Sequence, residues 1–138
     1  MNQEHELRRQ LSYQACHDSL TGLINRYEFE KRLNKLITSS IENNTTHALL
    51  YLDLDAFKVV NDTCGHVAGD ELLKQLPLLL HRLVRNNDTI ARLGGDEFGM
   101  LLNNCRPEKA QKIAEKILHA VQDFHFIWEE KKFRIGVS

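Results

Sequence analysis

The spacing of apolar residues changes several times along this chain, and each change marks an element. Phe29, Leu33, Leu36 and Ile37 recur at helical spacing, so "YEFEKRLNKLITSS" predicts an amphipathic helix. After the polar stretch "ENNTTH", "ALLYLDL" is an apolar run ending in an acid, of a length that suits a buried strand. "DAFKVVNDTCGH" reads as a short helix stopped near Gly65. "VAGDELLKQLPLLLHRLVR" reads as a long helix containing Pro77, where a missing N–H and a ring clash predict a kink. "TIARL" and "EFGMLL" are short strands flanking Gly94 and Gly95. "PEKAQKIAEKILHAVQDF" opens on Pro107 at a first-turn position and lines up Ile113, Ile117 and Val121. "FHFIWEEKKFRIGVS" gives two strand candidates around a charged turn. At the front, "MNQEHELRRQLSYQACHD" is helix-prone, with only Leu7 and Leu11 as a thin apolar stripe, as in a connector. "DSLTGLINR" carries turn signals at Gly22 and Asn25. The mixed order with two hairpins predicts an α+β fold, a sheet partly covered by helices.

Composition narrows this picture only a little. A length of 138 residues suits one domain, with 42% hydrophobic and 27% charged residues. A net charge of −1 offers no basic face for a nucleic-acid backbone, so no nucleic acid is expected as partner. There is no apolar run long enough for a membrane span, and no signal peptide at Met1. Cys16, Cys64 and Cys105 are widely spaced and without metal-site spacing, which points to a reducing, cytoplasmic setting.

The acids carry the chemistry. In "ARLGGDEFGM" two glycines precede Asp96 and Glu97 at a hairpin tip, where positive φ is needed. Taken alone, the motif reads first as a plain turn followed by solvated acids. "YLDLD" puts Asp53 at the carboxyl end of a strand. If the two strands are neighbours, Asp53 and Asp96 converge, and converging carboxylates repel unless a cation lies between them. Hard oxygen ligands suit Mg²⁺, which keeps much of its shell for water and substrate phosphates. Ala56, Phe57 and Lys58 form the first turn of the next helix, whose free N–H groups suit an anion. Lys58 adds a point charge, or is simply a solvated lysine. Asn61 and Asp70 have the donors and acceptors to read a guanine edge, but Asn61, Asp62 and Asp70 also fit as helix caps. His66 says little alone.

Taken together, "DSLTGLINR", "LDLDAFKVVNDTCGHVAGDELL" and "RNNDTIARLGGDEFGMLL" resemble the GGDEF family, the diguanylate cyclases, in order and spacing over nearly the whole chain. The resemblance implies a nucleotidyl-cyclase or polymerase-palm-like sheet surrounded by helices. The implied activity condenses two GTP into cyclic di-GMP and two pyrophosphates, on Mg²⁺ (or Mn²⁺), with one GTP on each subunit of a homodimer. By position, Asp53, Asp96, Glu97 and the Leu54 carbonyl resemble the metal ligands. Asp96 or Glu97 serves as base, a choice the sequence leaves open, and Lys58 steadies the phosphates. Asn61 and Asp70 resemble guanine readers, His66 a substrate contact, and the backbone at Ala56 and Phe57 a phosphate cradle. Arg85 and Asp88 in "RNND" resemble the family's product-inhibition site; the plain reading is an i,i+3 surface ion pair.

The resemblance also sets the expected boundaries. Residues 1–17 are a linker helix and 18–138 the GGDEF domain, without the family's last strand and helix, and an upstream sensory domain is expected in a parent protein that can be membrane-anchored. Such a piece is expected to turn over poorly. The competing reading is a module that binds GTP or cyclic di-GMP and signals without turnover.

Overall fold

The computed structural model describes residues 3–55 and 57–138. Its elements follow the predicted order: α1 (Gln3–Cys16), α2 (Arg26–Asn43), β1 (Ala48–Asp55), α3 (Phe57–Cys64), α4 (His66–His81), β2 (Thr89–Gly94), β3 (Glu97–Leu102), α5 (Pro107–Asp123), β4 (His125–Trp128), β5 (Lys131–Arg134) and β6 (Gly136–Val137). A four-stranded sheet runs β2-β3-β1-β6, with every neighbour antiparallel. β4 and β5 make a separate hairpin.

Two apolar layers grip the sheet. On one face Leu52, Leu54, Ile90, Phe98, Met100 and Leu102 pack with buried residues of α4 and α5, among them Leu72, Leu76, Ile113, Ile117 and Val121. On the other, Ala91, Leu93 and Leu101 receive Phe29 of α2, backed by Leu33 and Leu36. The Phe29 ring lies where a side chain at Gly99 would be, 2.8 Å from the position of its absent Cβ. α2 has the predicted periodicity, but Ile37 at its end is half exposed.

Two expectations change. β1 is buried on one face only: Leu52 and Leu54 point into the core, while Leu49, Tyr51 and Asp53 are exposed. α2 covers β2 and β3 but leaves that face of β1 open, so the apolar run did not mean two buried faces. α4 runs through Pro77, which is buried, and stops at His81, short of the predicted Arg85. α1 buries none of its residues and keeps Leu7 and Leu11 exposed, as its thin stripe implied.

Candidate active site

The pairing of β1 with β3 decides the geometry. Asp53 sits directly across from Glu97, so both acids project from one face of the sheet. The hairpin tip folds back on β1 as well, because the Leu54 N–H donates to the Asp96 carbonyl at 3.1 Å. Gly94 and Gly95 have φ of 151° and 47°, values that favour glycine, and the strand register shifts between Arg92 and Gly94. Asp53, Leu54, Asp96 and Glu97 are therefore brought together. The Asp96 carboxylate beside it holds the Asp53 carboxyl above the usual range, with burial, a hydrogen bond to Asp96 and the charges of Glu97 and Asp55 adding to the effect. Such a pair suits a cation bound through few protein ligands. Among the described residues, no three acidic, histidine or cysteine side chains close into a preformed cage.

Beyond the end of β1, Phe57 and Lys58 form the first turn of α3, with Lys58 exposed. Ala56 lies outside the described residues. His66 opens α4 and is exposed. The N-cap of α4 is Gly65, without a side-chain cap, and Asp70 lies inside the helix. The capping alternative for Asn61, Asp62 and Asp70 therefore fails. Asn61 instead lays its amide against the backbone of Gly69, the residue before Asp70. Asp53, Lys58, Asp70 and Glu97 are all exposed, so the site is an open face rather than a closed cleft.

Arg85 and Asp88 stand at the opposite end of β2 from the hairpin tip, six residues and about 20 Å away. They pair at 3.0 Å, with the Asp88 side chain fully buried and that of Arg85 38% exposed. The carboxylate accepts from Arg85 N, Nε and Nη2 and from Asn103 N. Arg85 Nη2 also donates to the Asn103 carbonyl. This is a tie between two loops, not a loose surface pair, and the carboxylate faces inward.

Sequence reasoning passed over Arg92. Its Nε donates to the Gly95 carbonyl at 3.1 Å, and its Nη1 to both Asp18 oxygens at 3.2 and 3.3 Å. The Asp18 carboxyl is held below its usual range: burial opposes this, but hydrogen bonds from Thr21 and Arg92 and the Arg92 charge outweigh it. The "DSLTG" turn is thus braced to the Gly-Gly-Asp-Glu hairpin across 74 residues of sequence.

The pattern of the family described as "Diguanylate cyclase, GGDEF domain" matches residues 15–138. The chain belongs to the GGDEF family. This GGDEF domain is 49% identical over 138 residues to the probable diguanylate cyclase DgcE of Escherichia coli, covering all of this chain and 12% of that protein. It is 43% identical over 130 residues to the bifunctional diguanylate cyclase/cyclic di-GMP phosphodiesterase MucR of Pseudomonas aeruginosa, covering 94% of the chain and 19% of MucR. It therefore spans a minor part of these relatives' length. Among solved structures, the coiled coil and GGDEF domain of DgcB from Caulobacter crescentus, in complex with c-di-GMP, superposes with a TM-score of 0.89 at 29% identity, over 97% of this chain and 72% of that one. Diguanylate cyclase SiaD from Pseudomonas aeruginosa, in complex with its activator SiaC, gives 0.86 at 30% identity, over 98% and 52%. No helix among the described residues is long and apolar enough to cross a membrane.

Proposed function

We propose that this GGDEF domain condenses two GTP molecules into cyclic di-GMP and two pyrophosphates, with one GTP on each of two facing copies. The observation that carries the reading is the convergence of Asp53 with the Gly-Gly-Asp-Glu hairpin on an open face, beside the first turn of α3. Asp53, Asp96, Glu97 and the Leu54 carbonyl hold Mg²⁺ (or Mn²⁺). Held by these residues, such an ion would supply Lewis-acid chemistry, favouring loss of the 3′-proton and offsetting charge on the α-phosphate and pyrophosphate. The N–H groups at the start of α3 and the Lys58 ammonium bind the phosphate oxygens. Asn61 and Asp70 read the guanine edge, and His66 contacts the substrate. In each half-reaction a 3′-oxygen bonds to the α-phosphorus of the other nucleotide as the bond to the β-phosphate oxygen breaks. The 3′-proton passes to a hairpin acid. An open half-site suits this chemistry, because the attacking nucleotide arrives on another copy of the domain.

Feedback belongs to the same proposal. The exposed part of the Arg85 guanidinium offers a fork for a phosphate or a guanine edge of cyclic di-GMP, far from the hairpin. The Asp88 carboxylate holds that guanidinium in its charged form, against the opposing effect of burial.

The test is incubation of the chain with GTP and Mg²⁺ and mass spectrometry of the products. Cyclic di-GMP that disappears in Asp96→Ala supports the assignment. GTP bound but unconverted would make this chain a nucleotide-binding module, and near-normal product from Asp96→Ala would remove the metal assignment.

A further inference from the structure

Gly69 lies in the first turns of α4, buried, and its N–H donates to the Gly65 carbonyl at 3.2 Å. It has no need of glycine's conformational freedom, since its φ is not among the positive values. In an ordinary helix position alanine is favoured over glycine by about 1 kcal/mol. The space explains the glycine. A Cβ there would stand 1.8 Å from Asn61 Oδ1 and 2.8 Å from Asn61 Cγ, with the Phe57 ring 3.4 Å away. The Asn61 amide occupies the volume of the missing side chain.

We infer that Gly69 is a specificity-determining position: its missing side chain lets Asn61 lie flat on α4 at the level of Asp70, so that the two form one base-reading edge. The inference rests on the guanine reading of Asn61 and Asp70 given above. The reasoning is steric. Asn61 makes no side-chain hydrogen bond to any described residue, so none of them holds its amide in place by hydrogen bonding. What fixes the amide is the surface it lies on. The atoms that a Cβ would meet first are the far end of a flexible side chain, so the helix survives a methyl group and the asparagine turns away. The backbone around it is firmly set: the Asn61 carbonyl accepts from Gly65 N at 2.8 Å, and Val60 and Ala68 are both fully buried. Gly69 thus acts as a positioning residue, through Asn61, with no contact of its own to the base.

The experiment compares wild type, Gly69→Ala, Asn61→Ala and the double variant. Binding of 3′-deoxy-GTP and 3′-deoxy-ATP with Mg²⁺ is measured by calorimetry; these analogues lack the attacking hydroxyl and do not turn over. Melting temperature is recorded for each protein. Gly69→Ala is expected to melt at or above wild type and to weaken the guanine nucleotide about tenfold, the value of one lost hydrogen bond, with adenine binding unchanged within about twofold. Asn61→Ala is expected to do the same. The double variant is expected to match Asn61→Ala rather than add to it, because both changes remove one amide from one place. Two outcomes overturn the inference alone. One is that Asn61→Ala loses discrimination while Gly69→Ala keeps it. The other is that Gly69→Ala melts several degrees lower and Asn61→Ala does not restore it, which would put the strain elsewhere. If Asn61→Ala itself keeps full guanine preference, the guanine reading fails first and the inference falls with it.

Discussion

Replacing Asp88 with alanine separates structural from ligand-binding roles at the Arg85 corner. The carboxylate is fully buried and accepts four hydrogen bonds, two from backbone N–H groups and two from the Arg85 guanidinium. Alanine removes all four acceptors. The N–H groups of Arg85 and Asn103 then lack partners in a shielded place, at about 1–2 kcal/mol each. The Arg85 side chain is 38% exposed and its guanidinium can regain water, so its share stays below about 1 kcal/mol. The expected loss is about 3 kcal/mol. With an unfolding entropy of about 2.1 cal/mol/K per residue, a chain of 138 residues should melt about 10 °C lower. Arg85→Ala keeps the carboxylate on both backbone donors and should lower Tm by only about 3 °C. The assay is thermal denaturation followed by circular dichroism at neutral pH, with wild type and both variants in the same buffer. A melting point for Asp88→Ala within about 2 °C of wild type would refute the reasoning. The same arithmetic makes Arg85→Ala the cleaner probe of cyclic di-GMP feedback, since weakened binding in Asp88→Ala mixes ligand contact with a loosened loop.

Three further outcomes are expected. Asp96→Ala should lower cyclic di-GMP formation on the order of 10²-fold or more, with melting changed little, because it relieves the repulsion with Asp53; product yield by chromatography and a melt check both parts. Asp18→Asn should destabilise the domain at neutral pH, and the difference should shrink in acid: the folded pKa is depressed, so the stabilisation is full above the ordinary 3.8 and is lost as pH falls from there through the lower folded value. Denaturant titrations at pH 7 and pH 3 check this, and an equal gap at both would count against the Arg92 brace. Gly99→Ala should cost about 1–3 kcal/mol by overpacking, since its Cβ would meet the Phe29 ring at 2.8 Å and Leu93 Cδ1 at 3.2 Å; a chemical denaturation curve measures it.

What the sequence could and could not say follows from how far each interaction reaches along the chain. Periodicity located α2, α5 and both hairpins because those signals are local, repeated every two or three to four residues. The neighbouring of β1 and β3 was a conditional in the sequence, since nothing local forces two strands to pair; in the structure it sets Asp53 opposite Glu97. The exposed face of β1 was illegible for the same reason. Leu49 and Tyr51 look like core residues until it is known that α2 stops over β2 and β3. The family resemblance pointed to Asp53, Asp96, Lys58, Asn61 and Asp70, yet it carried no information on what holds them.

Those supports are long-range and chemically quiet. Arg92 was read as one residue of a strand, and only its reach to Asp18 and the Gly95 carbonyl makes it a brace for the hairpin. Asp88 was read as one half of a motif, and only Asn103, 15 residues later, shows that it closes a loop. Gly69 left no signal at all, because a residue that acts by lacking a side chain is visible only through the neighbour that fills its place. These positions share a consequence. Asp53, Lys58, Asp70 and Glu97 stand exposed, where substitution costs the fold little. Their supports are buried or half-buried, tied by hydrogen bonds or steric fit to residues distant in sequence. Mutations in the supports should therefore change activity together with stability or loop order, and mutations on the face should change activity with the fold intact. Gly69→Ala is the informative exception, a buried change expected to leave stability level or raised while guanine selectivity falls, because the helix gains what the asparagine loses.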